Sequence, residues 1–347
     1  MNVAFKARLQ ALPERVLVIF PGALGDFICF LPALERLTRS RQVDLFARAE
    51  YGEILPVTVR TRSLECREIS RLFSPEAKRD EHLKGFFAAY AGVYSWMGSG
   101  QREFVDNLSL LARGKLQIFP FRSADSRRHM AGYYLSCLGE SPSPETSAHI
   151  TLTEDVWRWS LAYWQERGFP ATKVLALAPG SGAREKNWPP EFFAVVAEWW
   201  ERNLGGRVLI MLGPVEAERS EPEYFGNCGG VVQNEGLGRV AALLSRCDLY
   251  LGNDSGITHL AAALGVNTVA LFGPTDPTQW APCGRRVTVI SQNVDCSPCT
   301  DRIMKSCWHR RCLTGLSPER VVAKLRALSR YAGMHRDRIL DKGGCRD

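Results

Sequence analysis

No run of 18 apolar residues occurs in this chain, so no helix long and apolar enough to cross a bilayer is expected. The N-terminal stretch Met-Asn-Val-Ala-Phe-Lys-Ala-Arg-Leu-Gln lacks the apolar core and small-residue cleavage site of a secretory signal. Both absences point to a cytoplasmic protein. Neither half carries a Gly-x-Gly-x-x-Gly turn, which disfavours a nicotinamide cofactor and, with it, an oxidoreductase. A Walker loop is also missing, because the glycine-to-lysine spacing after Gly180 is wrong for one. No short-period repeat is visible.

What is present is ordinary in amount. At 45% hydrophobic and 23% charged, the composition excludes disorder and a fibrous fold. A length of 347 residues is long for one core, so two domains of roughly 150–170 residues are expected. The net charge of +7 suits an acidic partner such as a phosphorylated sugar, an anionic lipid surface or nucleic acid, and is equally an ordinary solubility charge. Eleven cysteines in a cytoplasmic chain argue for free thiols or a metal site rather than disulfides.

The pattern reads as α/β throughout. Residues 16–20 form an apolar run suited to a buried parallel strand, followed by a Gly-rich turn at 21–26 and a helix over 27–37 with a kink at Pro32. Short strands are expected at 43–47 and 91–96, and an amphipathic helix over 154–168. The theme then restarts with a strand at 174–178, a loop at 179–182 and a helix over 190–203. Strands at 208–212, 247–251 and 267–272 alternate with helices over 237–246 and 256–264, and a last helix runs to about 331. Two doubly wound domains are expected, 1–165 and 166–332, followed by a polar tail at 333–347.

Four features carry chemistry. Asn253-Asp254-Ser255-Gly256 falls where an apolar strand gives way to a helix, a place where free N–H groups and the helix dipole favour a phosphate. The same residues can equally be a capping turn, with His259 packed inside. Asp26 follows the first Gly-rich turn; it is either a helix N-cap or a general base that takes a proton from an incoming hydroxyl. In the loop after 178, Gly180 and Gly182 allow close backbone approach beside Ser181, and Lys186 offers a mobile charge for a diphosphate, or is a plain surface lysine. Glu216 can accept from a ribose or simply be exposed. Finally, Cys296, Cys299, Cys307 and Cys312 fall within 17 residues and can close a structural zinc or iron site, or remain four reduced thiols. Arg122, Arg127 and Arg128 read as a solvated basic face, with an anionic acceptor as the alternative.

Taken together, segments 22–34, 179–189, 252–265 and 271–277 resemble the bacterial heptosyltransferases of glycosyltransferase family nine, and the Cys-Ser-Pro-Cys cluster is similar to one found in many members. The resemblance implies a GT-B fold, two Rossmann-like domains facing a central cleft. It implies an inverting single displacement with no Asp-x-Asp metal site and no cofactor. By position, Asp26 is the base; Ser181, Lys186, Asp254, Ser255, Gly256 and His259 serve the donor diphosphate, and Glu216 the ribose. The implied donor is ADP-heptose and the implied acceptor a hydroxyl of lipopolysaccharide core or a related surface glycan. A peripheral contact with the cytoplasmic membrane face fits the basic charge; nucleic acid is not an implied partner. Other readings are a relative with a protein or other glycan acceptor, and a non-catalytic nucleotide-sugar-binding protein, which the presence of both Asp26 and Lys186 disfavours. With Asp26 in the first half and Lys186 in the second, domain closure is expected to bring base and donor together while excluding water.

Overall fold

The computed structural model describes residues 14–141, 148–169, 171–213 and 230–330. They form two compact units. One comprises the described residues up to Pro21, Leu34–Gly52 and Val57–Phe121; the other comprises Gly22–Ala33, Glu53–Pro56 and the described residues from Arg122 onward. The tail expected at 333–347 lies outside the described residues.

The first unit is built on strands β1 (Glu14–Ile19), β2 (Arg41–Ala47), β3 (Val59–Ser63), β4 (Gly92–Ser95) and β5 (Leu116–Ile118). All neighbours pair in parallel, in the order β3-β2-β1-β4-β5. Helix α1 (Leu24–Thr38) follows β1, α2 (Glu81–Ala88) precedes β4 and α3 (Arg102–Leu111) follows it. Leu17 and Ile19 of β1, Phe46, Val93, Phe87, Phe104 and Leu108 share one core. A parallel strand is covered on both faces, which is why β1 reads as a near-continuous apolar run.

In the second unit, α4 (Met130–Cys137) and α5 (Glu154–Glu166) lead into β6 (Val174–Ala178), α6 (Pro190–Leu204), β7 (Arg207–Met211) and β8 (Gly230–Val232). Then come α7 (Leu237–Ser245), β9 (Leu249–Asn253), α8 (Gly256–Ala263), β10 (Asn267–Phe272), β11 (Val287–Ser291), α9 (Asp301–Ser306) and α10 (Pro318–Ser329). This parallel sheet runs β11-β10-β9-β6-β7-β8. Every residue of β6 and β9 is buried, and Trp188, Phe193, Val196 and Trp200 pack beneath them. α5 is tied to this unit by polar as well as apolar contacts. Arg246 donates to Ser160 Oγ (2.8 Å) and lies over the Trp157 ring, while Arg239 lies over Trp159.

Both sheets show the doubly wound order, in which successive crossovers leave in opposite directions from the centre. In the second sheet that switch lies between β6 and β9, so the segments after Ala178 and Asn253 emerge side by side. Two local expectations change. α1 begins three residues before 27 and continues across Pro32 to Thr38. β9 is shifted by two residues to end on Asn253, a polar residue fully buried within a strand.

Candidate active site

Asn253 explains its own burial. Its side-chain N–H donates to the Pro179 carbonyl (2.6 Å), and its Oδ1 accepts from the Trp188 backbone N–H (2.9 Å). Both ends of the 179–188 loop are thereby pinned to the end of β9, since a buried amide is costly unless its donors and acceptors are paired. Trp188 is fully buried and donates from its indole to the Leu316 carbonyl (2.9 Å), which anchors the far end of the loop. Within the loop, Ser181 Oγ lies 2.6 Å from Asn187 Oδ1 and 2.7 Å from the Ala183 carbonyl. Its hydroxyl is engaged in shaping the turn.

So held, the loop delivers Lys186. Its Nζ lies 2.9 Å from Asp254 Oδ2, where the Thr275 hydroxyl also donates (2.7 Å). The Asp254 side chain is only 8% exposed, against 25% for Lys186, so the ammonium keeps a face toward solvent. Ser255 is extended at the N-cap of α8, with its hydroxyl 3.1 Å from Thr258 Oγ1, and its side chain makes no capping bond to the helix N–H groups. A cation and an uncapped helix N-terminus side by side suit an anion.

Asp26 belongs to the same unit, because Gly22–Ala33 packs there. It is not the N-cap of α1. It occupies the first turn, and its carboxylate accepts a bond from the Ala23 backbone N–H, half of a capping box. Its Oδ1 is buried and has no hydrogen-bond partner. Burial raises its pKa above the usual carboxylate range; Arg122, the Ala23 N–H and Lys186 pull the other way, and Asp254 adds to the rise. The base candidate is thus already in electrostatic reach of Lys186 and Asp254 within one unit, where the sequence pattern suggested separate halves.

The close approach depends on two glycines. A Cβ on Gly256 would lie 2.7 Å from Leu24 Cβ and 3.0 Å from the Gly25 nitrogen, and one on Gly25 would meet the His259 ring at 3.3 Å. His259 faces inward, buried, with Nδ1 3.6 Å from the Cys29 thiol. Burial pushes its pKa down to about 4 and pushes the Cys29 thiol well up, so both are neutral at neutral pH.

Arg122, Arg127 and Arg128 are all exposed, and Arg122 has contacts besides. Its guanidinium lies over the Trp280 ring at 5.2 Å and acts on Asp26, whereas Arg127 pairs with Asp125. Thr275 was not singled out by the sequence, its signal being only its place inside the Gly-Pro-Thr-Asp turn, and Asn253 entered as part of the polar cluster 253–256 without its role of pinning the 179–188 loop. Glu216 lies outside the described residues.

Of the cysteines, Cys312 is buried and its thiol is pushed up to about 11 by burial and by Cys299, Cys307 and Cys296. Cys299 donates to the Cys296 carbonyl (3.1 Å), and Cys307 lies 3.8 Å from His309 Nδ1. The thiols come from one segment, 296–312, that includes α9, yet among the described residues no three His, Cys, Asp or Glu side chains converge as metal ligands.

Known proteins resemble this chain in sequence and in fold. The family model for glycosyltransferase family 9 (heptosyltransferase) matches residues 135–308, half of the chain. Lipooligosaccharide heptosyltransferase 2 of Campylobacter jejuni is 28% identical over 173 residues, 45% of this chain and 52% of that protein. The chain thus spans about half the length of the curated relatives it matches. Among solved structures, a family 9 glycosyl transferase from Veillonella parvula has a TM-score of 0.72 at 23% identity, covering 92% of this chain and 98% of its own. The E. coli heptosyltransferase WaaC, solved with ADP, has a TM-score of 0.61 at 19% identity, covering 90% and 99%. The shared fold is GT-B, with two Rossmann-like units.

Proposed function

The chain belongs to glycosyltransferase family 9, and on that premise we propose an inverting transfer of a heptose-like sugar from an ADP-linked donor to a hydroxyl of lipopolysaccharide core or a related surface glycan. The observation that carries the reading is the Asp26 carboxylate, with a buried oxygen left unpartnered beside Lys186, Asp254 and the start of α8. A group meant to accept a substrate proton needs such a vacant acceptor, and the raised pKa makes it a better base than an ordinary aspartate.

The acceptor hydroxyl gives its proton to Asp26 as its oxygen bonds to the anomeric carbon. The bond from that carbon to the diphosphate oxygen breaks, and the departing charge falls on Lys186 and the α8 N–H groups. Asp254 and Thr275 hold the lysine in place before the donor arrives. The displacement calls for no cofactor. Donor contacts by Ser181, Ser255, Gly256 and His259 belong to this reading, the last through its packing on Gly25 and Cys29. So does a lipid-linked acceptor met at the cytoplasmic membrane face. The four thiols are right in kind for a structural zinc or iron, but they are not closed around a centre, and no step runs through them.

The test separates base from donor grip. Asp26→Ala abolishes transfer and leaves donor binding nearly intact, whereas Lys186→Ala raises the donor Kd as well. In a thermal-shift series, an ADP-sugar at 100 times its Kd adds about 2.7 kcal/mol, and UDP- and GDP-sugars add less. Most of the turnover surviving in Asp26→Ala would remove Asp26 from the role of base.

A further inference from the structure

The displacement proposed above makes no use of residues 300–311, yet these form an unusual surface. α9 turns Met304 inward and leaves Ile303 53% exposed; just beyond it, Trp308 is 90% exposed. Tryptophan is rarely so uncovered, since its ring is among the largest apolar surfaces a side chain offers. Arg302, Lys305 and Arg311 are exposed around it, and none forms an ion pair among the described residues. Asp301 is the only acid in the stretch. Arg310, in the left-handed region at φ 41°, instead turns back to donate to the Arg184 and Asn187 carbonyls (3.3 and 3.4 Å). The surface is therefore fixed to the loop that carries Lys186.

We propose that this segment is a docking surface for an anionic lipid bilayer, with Trp308 and Ile303 entering the headgroup region and Arg302, Lys305 and Arg311 meeting acidic headgroups. An indole has an apolar body and one N–H, and prefers the bilayer interface. Isolated basic residues or an isolated apolar anchor bind membranes weakly, whereas the two together bind well. Charge decides between a bilayer and a second copy of the chain. A two-fold contact through this face would set like charges against one another, whereas an acidic surface complements them. No helix of the described residues is long and apolar enough to cross a membrane, so this contact is peripheral. The inference rests in part on the proposed lipid-linked acceptor, for which such a contact places the donor loop near its substrate.

The full chain is floated with vesicles of phosphatidylcholine alone and of phosphatidylcholine mixed with phosphatidylglycerol. It binds the mixed vesicles, and binding weakens as salt rises. Each base neutralised lowers partitioning about fivefold, so Arg302→Gln/Lys305→Gln/Arg311→Gln together lower it on the order of a hundredfold. Trp308→Ser also loses binding while its melting temperature is kept. Brominated lipid quenches the wild-type fluorescence, and Trp308→Phe loses that quenching. Equal binding by the triple variant, equal quenching in Trp308→Phe, or Trp308-dependent self-association without vesicles would overturn the proposal, the last by giving the face to a second copy. Because vesicle binding is read without donor or acceptor, its failure and the failure of the transferase reading are separately visible.

Discussion

At the scale of the residue, the role proposed for Asp26 as base runs against stability. A carboxylate oxygen that is buried without a partner costs folding energy whenever it is ionised. Its folded pKa is raised, so the native state holds the proton more tightly than the unfolded chain does. The destabilisation is therefore absent at pH values below the ordinary aspartate pKa, grows as pH rises from there, and is complete once pH has passed the folded value. Asp26→Asn keeps the acceptor for the Ala23 N–H and removes the charge. The expected result above the folded pKa is a gain of ~1 kcal/mol, about 1–2 °C in melting temperature, with transfer abolished. The gain fades in acid, and wild-type turnover falls as pH drops through the raised pKa. A variant less stable than wild type at pH 7 would contradict this account. Asp26, Lys186 and Asp254 were legible in the sequence because each stands beside a glycine turn that ends a strand. Arg122 was not, because its role depends on a position relative to Asp26 that no local pattern encodes.

At the scale of the element, the start of α8 is pressed against the start of α1 with no room for a methyl group between Gly256 and Leu24. Gly256→Ala forces backbone to move, since the atoms it meets are a Cβ and a main-chain nitrogen. A loss of about 1–3 kcal/mol is expected, read as a lower urea midpoint at unchanged m. Gly85→Ala is the contrast: exposed in α2, with nothing within 4 Å of the new Cβ, it should gain about 0.5–1 kcal/mol. Equal effects at the two sites would mean that packing at Gly256 is looser than drawn. Central strands such as β6 and β10 were readable to the residue, because strands covered on both faces are apolar throughout. The edge strands β3 and β11 escaped, as their outer residues meet solvent and their sequences, Val-Arg-Thr-Arg-Ser and Val-Thr-Val-Ile-Ser, alternate weakly.

At the scale of the whole molecule, the doubly wound order repeats in both sheets, and the cysteine loop stands apart from that repeat. If its thiols hold zinc or iron, the purified chain contains about one metal per molecule. Chelation then lowers the melting temperature, because a ligand of the native state adds stability in proportion to ln(1 + [L]/Kd). Cys296→Ser with Cys299→Ser should lower the metal content in step. A metal-free chain whose melting ignores chelators would leave four reduced thiols. The division into units was the least legible feature. Residues 22–33 follow β1 in sequence, but their glycines and Cys29 find their partners in Gly256 and His259. That placement bears on recombination among relatives. A chimera joined near residue 165 keeps each sheet whole, yet sets a foreign Leu24 against the native Gly256 and a foreign Cys29 against the native His259. Exchange of the N-terminal half therefore also exchanges one side of these two contacts, and parents compatible there are the ones whose halves can be interchanged.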